Sequence, residues 1–206
     1  MTTTTYHLAR RLAQLEPSAT AAMTNRVAQM RAKGIRVISF SVGEPDFDTP
    51  ALIKAAAIEA INANHTHYTP TGGIADLRKV VAQRVSADQG IEYGVGQVTV
   101  TTGAKEALYL IFQALCDEGA MPVTPTATEA TGFKLTPEQL RASLTERTRV
   151  VMLNSPSNPT GAVYSAAELA ALAVVLRDSS AIIVTDEIYD AISYVPYARW
   201  LRIAPD

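Results

Sequence analysis

Cysteine is nearly absent from the sequence. Cys116 is the only one among 206 residues, so no internal disulfide can form. It falls inside an apolar helical pattern, where it reads as a small buried hydrophobe. An excess of one charge is also lacking. Eighteen Lys and Arg stand against 20 Asp and Glu, a net charge of -2, which leaves no electrostatic footprint for nucleic acid or an anionic membrane surface. No apolar run approaches the length of a membrane span. Aromatics make up 6% of the chain, with a single tryptophan, Trp200. His65 and His67 stand close together, but no carboxylate or third histidine lies near them in sequence, which argues against a metal site. Residues 1–11 lack the apolar core of a signal peptide, so a cytoplasmic protein is expected. There is no internal repeat and no low-complexity linker.

What is present suits a globular protein with one sizeable core: 48% hydrophobic and 18% charged residues. A narrow apolar stripe at Met23, Val27 and Met30, stopped by Gly34, predicts a helix over 18–33. Residues 37–42 read as a short strand. A turn-rich loop then leads to a helix from about Pro50 to Ala63, with Asp48 or Thr49 as cap and Pro50 in the first turn. Ile74, Leu77, Val80, Val81 and Val85 mark one face of a helix that ends near Gly90. Val98 to Val100 reads as a strand, and Leu108, Ile111, Phe112 and Leu115 as the apolar face of the helix after it. Thr136-Pro137-Glu138-Gln139 and Ser165-Ala166-Ala167-Glu168 are capping-box starts of two further helices. Val150 to Leu153 and Ile182 to Val184 read as buried strands. Residues 194–206 show no clear pattern. Strands alternating with helices predict an α/β protein with a mostly parallel sheet.

Ligands of open α/β sheets sit outside the carboxyl ends of the strands. Three stretches fall there. Gly103-Ala104-Lys105 is a small-residue turn opening a helix, where free backbone N–H groups and the helix dipole favour a phosphate. Asn158-Pro159-Thr160-Gly161 is a loop by composition. Asp186 and Tyr189 follow the strand at 182–184; an Asp there can hold a proton on a ring nitrogen, as pyridoxal phosphate requires. Taken singly, Gly43, Pro159 and Gly161 read equally as turn residues, Tyr68 and Tyr189 as half-buried packing, and Lys105 as a solvated helix residue.

Taken in order, five motifs resemble class I and II aminotransferases, which are fold-type I pyridoxal-phosphate enzymes, and most of all the bacterial aspartate aminotransferase branch. They are residues 41–50 (Ser-Val-Gly-Glu-Pro-Asp-Phe-Asp-Thr-Pro), residues 68–74 (Tyr-Thr-Pro-Thr-Gly-Gly-Ile), Gly103 to Lys105, residues 154–164 around Asn158, and Asp186 with Tyr189. The resemblance implies a partial large domain with a mostly parallel sheet and helices on both faces. Residues 1–48 would be an N-terminal arm and small-domain segment, and 49–206 the cofactor-binding part. It implies pyridoxal phosphate as cofactor, with amino acid and 2-oxo acid substrates. Gly103, Ala104 and Lys105 match the phosphate turn, Asn158 a residue on the ring hydroxyl and the substrate carboxylate, and Asp186 the partner of the pyridine nitrogen. Tyr189 matches the phenol on the ring hydroxyl oxygen. Tyr68 matches a tyrosine that reaches the neighbouring subunit's cofactor, which implies a homodimer, and Gly43 a glycine whose backbone meets substrate.

Two departures stand beside these matches. The family's Schiff-base lysine lies beyond the Asp-and-Tyr strand, whereas the lysines here are Lys33, Lys54, Lys79, Lys105 and Lys134. The chain is therefore expected to be truncated before that lysine, and to be inactive alone. After Gly119 the family continues through a strand and the aromatic that stacks on the cofactor. Here Ala120-Met121-Pro122-Val123 resembles sequence further downstream, so an internal deletion is expected, and Trp200 is in the wrong place to substitute. Two alternatives stand beside the transaminase: a non-catalytic remnant or association partner of a full-length homologue, which the missing lysine favours, and a related pyridoxal-phosphate lyase or decarboxylase, since the same fold and cofactor serve many reactions.

Overall fold

The computed structural model describes Ala9, Leu12, and residues 19–40, 43 and 47–205. The chain divides into two compact units, Met1–His67 and Tyr68–Asp206. The described part of the first holds α1 (Ala19–Ala32) and α2 (Ala51–Asn62). Pro50, expected inside the first turn of α2, sits one position earlier, as its N-cap. Its carbonyl accepts from the N–H groups of Ile53 and Lys54, and no side chain caps the helix. Helix α2 buries none of its residues: Leu52, Ile53, Ile58 and Ile61 are all exposed.

The second unit carries α3 (Ala75–Gln89), α4 (Ala104–Leu115), α5 (Pro137–Ser143), β1 (Val150–Asn154), α6 (Ala166–Leu176), β2 (Ile182–Asp186) and α7 (Trp200–Ile203). Helix α3 stops at Gly90, whose φ of 73° suits a residue without Cβ. Both capping boxes form. Thr136 accepts from the Gln139 N–H while the Gln139 side chain accepts from the Thr136 N–H, and Ser165 with Glu168 repeats the arrangement.

The sheet is one parallel pair, Val150 opposite Ile182 through Asn154 opposite Asp186, with α6 as the crossover. Val151 and Leu153 point to one face, where they form the core with Leu140 of α5, Tyr164, Leu169, Leu172 and Leu176 of α6, and Trp200 of α7. Met152 faces the other way and is exposed. Tyr164 is buried with its hydroxyl satisfied, accepting from the Leu135 N–H at 2.7 Å.

Residues 37–40 and 98–100 are not strands, and residues 41–42 of the first expected strand lie outside the described residues. Val98 is extended (φ -112°, ψ 129°), yet a strand exists only when a second segment supplies its ladder. The one backbone bond of Val100 outside its own turn runs from its N–H to the Gly72 carbonyl, at 3.0 Å. Among the described residues no helix is long and apolar enough to cross a membrane, and no three His, Cys, Asp or Glu are gathered as metal ligands.

Candidate functional site

Parallel pairing puts the carboxyl ends of β1 and β2 side by side, so Asn154 and Asp186 are register partners. The loop after β1 is stitched to that end. The Ser155 N–H and the Asn154 side-chain amide both donate to the Asp186 carbonyl, at 3.1 and 3.2 Å. Asn154 Oδ1 in turn accepts from the Asn158 N–H at 2.9 Å. The result is that Asn158 Nδ2 donates to the Tyr189 hydroxyl oxygen at 3.1 Å, across 31 residues of sequence. Asn158 is exposed, and Asp186 and Tyr189 are half-buried. Asp186 Oδ1 accepts from the Ile188 N–H at 3.4 Å, which holds its carboxylate at the mouth of β2. Three of the residues singled out in the sequence therefore meet at one rim. The Tyr189 O–H can still donate while its oxygen accepts from Asn158.

A second group forms around α4. Gly103 is its N-cap, at φ 81°. The first-turn N–H groups, those of Ala104 and Lys105 among them, have no acceptor within the helix and open outward with the positive end of the dipole. The Glu106 side chain reaches back to the Thr102 N–H, and Thr101 Oγ1 donates to the Gly103 carbonyl at 3.0 Å. Lys105 is exposed. This turn is tied to the Tyr68 loop. The Val100 N–H reaches Gly72, and Gly73 (φ +98°) lies so close that a Cβ there would meet Val100 Cγ2 at 2.7 Å. Arg78 holds the approach, with Nε donating to the Val98 carbonyl at 2.9 Å and Nη2 to the Val95 carbonyl at 2.7 Å. Tyr68 itself is fully exposed. No hydrogen bond among the described residues joins this group to Asp186 or Tyr189. Gly43 belongs to the first unit and is exposed.

A charged cluster that the sequence did not signal lies directly behind Tyr189. Arg199 Nη1 pairs with Glu187 Oε2 at 2.9 Å, and Nη2 with Asp190 Oδ2 at 2.6 Å and Asp88 Oδ2 at 3.6 Å. Its guanidinium lies 5.1 Å from the Tyr197 ring centroid. Burial lowers the proton affinity of Arg199, but Asp190 and Glu187 outweigh it and hold the affinity above the usual range. Burial, and then Glu187, push the Tyr197 phenol far above its ordinary value. Gln89 Nε2 donates to Glu187 Oε2 at 3.3 Å, and Gln89 Oε1 is buried without a partner. The one available signal was a lone Trp beside an Arg: Trp200 is buried in the core and fixes where Arg199 begins.

Comparisons with known proteins agree with one another. The family model "Aminotransferase class I and II" matches residues 35–128 and 118–205. The two matches overlap at 118–128, across the stretch that follows the expected gap. The chain is 43% identical over 208 residues to an aspartate aminotransferase of Geobacillus stearothermophilus, covering 91% of this chain and 53% of that protein. It is 42% identical over 201 residues to an aspartate/prephenate aminotransferase of Cereibacter sphaeroides, covering 87% and 50%. The solved structure of Thermus thermophilus aspartate aminotransferase with maleate superposes with a TM-score of 0.92 at 33% identity, covering 98% of this chain and 58% of that one. The chain thus spans about half the length of the curated relatives it matches.

Proposed function

Because the chain belongs to the class I and II aminotransferase family, we propose that it is the cofactor-holding portion of a pyridoxal-phosphate-dependent transaminase. The substrates of such an enzyme are an amino acid and a 2-oxo acid. The observation that carries this reading is the Asn158–Tyr189 hydrogen bond beside Asp186 at the carboxyl end of the parallel pair. This donor and acceptor set fits the cofactor's ring: a carboxylate for the nitrogen, and a phenol with an amide for the hydroxyl.

Pyridoxal phosphate, when bound, supplies a protonated ring that withdraws electrons from the substrate carbon. Asp186 would hold the proton on the ring nitrogen. Tyr189 would donate to the ring hydroxyl oxygen, oriented by the Asn158 amide. Ala104 and Lys105 would present first-turn N–H groups to the phosphate, with Gly103 as the N-cap that opens the helix toward it, supported through Val100 by the Gly72-Gly73 turn. Tyr68, fully exposed, is free to meet the phosphate held by a second copy, which agrees with a homodimer. Gly43 would offer its backbone to the substrate. A cytoplasmic setting goes with this reading.

The last lysine in the chain is Lys134, and its Nζ is paired with Glu168 at 2.5 Å. All five lysines of this sequence precede Asp186, and residues 1–206 tested by themselves are expected to be inactive. The test is equilibrium dialysis of the chain with pyridoxal phosphate. Weak, reversible binding is expected, with no borohydride-fixed adduct at a defined lysine. Asp186→Asn and Asn158→Ala should each weaken binding roughly tenfold or more, as a hydrogen bond to a charged group implies. Binding indifferent to both substitutions would sink the site assignment. Turnover of aspartate and 2-oxoglutarate above that of free cofactor would overturn the inactivity.

One observation favours a second role, as association partner of a complete homologue: α2 leaves Leu52, Ile53, Ile58 and Ile61 exposed around its circumference. Coexpression with a full-length relative, followed by size-exclusion chromatography, should give a mixed complex if this is the role. Separate elution would end it.

A further inference from the structure

We infer that Arg199 is a positioning residue for the Asp186–Tyr189 rim. Three observations carry this. Arg199 grips the residues on both sides of Tyr189, Glu187 at 2.9 Å and Asp190 at 2.6 Å, so the short segment bearing Tyr189 is held at two points by one planar guanidinium. The clamp is itself anchored. Trp200, the next residue, is 6% exposed in the core, and Asp88 and Gln89 at the end of α3 bond Arg199 and Glu187 from the other side. The clamp is also sheltered, because the Arg199 and Glu187 side chains are only 16% and 15% exposed, where a charge pair is screened far less than at the surface. Tyr189 needs such support. Between β2 and the short turn at Asp190–Ile192 it has no helix or ladder of its own, and it still has to meet Asn158 from another loop. Among the described residues no hydrogen bond joins Arg199 to Asp186 or to the Tyr189 hydroxyl; it acts through Glu187 and Asp190.

The role as part of a cofactor site rests on the pyridoxal-phosphate reading above, but the clamp itself can be tested without cofactor. In the full 206-residue chain, the side-chain amide signals of Asn158 in a 1H–15N correlation spectrum report the bond to Tyr189. Tyr189→Phe, which removes the acceptor, gives the reference for a broken bond. Arg199→Met is expected to move the Asn158 signals at least halfway to that reference, while the backbone signals of Leu153 and Leu172 in the core stay in place. Arg199→Lys, which keeps charge but not the fork, should fall between wild type and Arg199→Met. If Arg199→Met does not fold, Asp190→Asn removes one arm of the clamp and should produce the same movement in part. Asn158 signals unmoved in a folded Arg199→Met or in Asp190→Asn would overturn the inference. So would core signals that shift as far as those of Asn158, which would mean a general structural role. A chain that gives the expected response yet binds no pyridoxal phosphate would refute the cofactor reading and leave the clamp standing.

Discussion

Tyr164 shows how one polar atom is fitted into an apolar core. Its ring packs with Leu140, Leu169 and Leu172, and its hydroxyl accepts from the Leu135 N–H at 2.7 Å. Burial, the larger influence, raises the phenol's proton affinity above its ordinary value against the lowering effect of that N–H. Tyr164→Phe keeps the packing and leaves the half-buried Leu135 N–H without its acceptor. The expected loss is about 1–3 kcal/mol of unfolding free energy, read from the urea midpoint. No change in midpoint would mean that water replaces the hydroxyl. Asn158 and Tyr189 belong to the same scale. Each was legible from the loop or strand end that bears it, because Pro, Gly and Asn mark a loop and β-branched runs mark a strand. Arg199 was not legible, since its partners Glu187, Asp190 and Asp88 are gathered only by folding.

At the scale of elements, the caps follow from local sequence and the sheet does not. The boxes at Thr136 and Ser165 close within four residues, so no distant partner is needed. Glu168 adds a pH dependence. Burial raises its proton affinity, but Lys134 and the Ser165 N–H and hydroxyl outweigh that and hold its carboxyl below the usual range. A carboxyl lowered in the folded state stabilises above its unfolded pKa, and that contribution disappears as pH falls through the lower, folded value. Stability measured from neutral pH downward should therefore fall in the acid range less steeply in Glu168→Gln than in wild type. Parallel acid profiles for the two would show that the Glu168 contacts add nothing. Its side chain is 41% exposed, so high salt should shrink the difference. Val98 to Val100 is the counterexample: its β-branched residues favour extension, but no ladder partner is present among the described residues.

Over the whole molecule, the core is gathered on one side of a two-stranded sheet, and much apolar surface remains outside it. A two-stranded sheet is marginal by itself, and its unpaired edges invite association. Phe40 and Phe47 are largely exposed and Tyr68 and Tyr194 entirely so, whereas Tyr164 and Trp200 are buried. Brief digestion with chymotrypsin should cut at those four aromatics before either buried one, with the fragments identified by mass. Cleavage at Tyr164 or Trp200 at equal rate would show that the core in the second unit does not persist in solution.

By itself the sequence determined what short range can determine: helix starts and stops, the βαβ order, and the motifs at 103–105, 158 and 186–189 that identify the family. These depend on φ preferences, caps and periodicity, whose partners lie a few residues away. Only the tertiary structure decided which extended segments become strands, that Trp200 serves the core, and that Arg199 braces Tyr189. Those outcomes turn on contacts between residues far apart in sequence, Asn158 with Tyr189 and Asp88 with Arg199 among them. Such contacts form only once the chain has closed the loops between them.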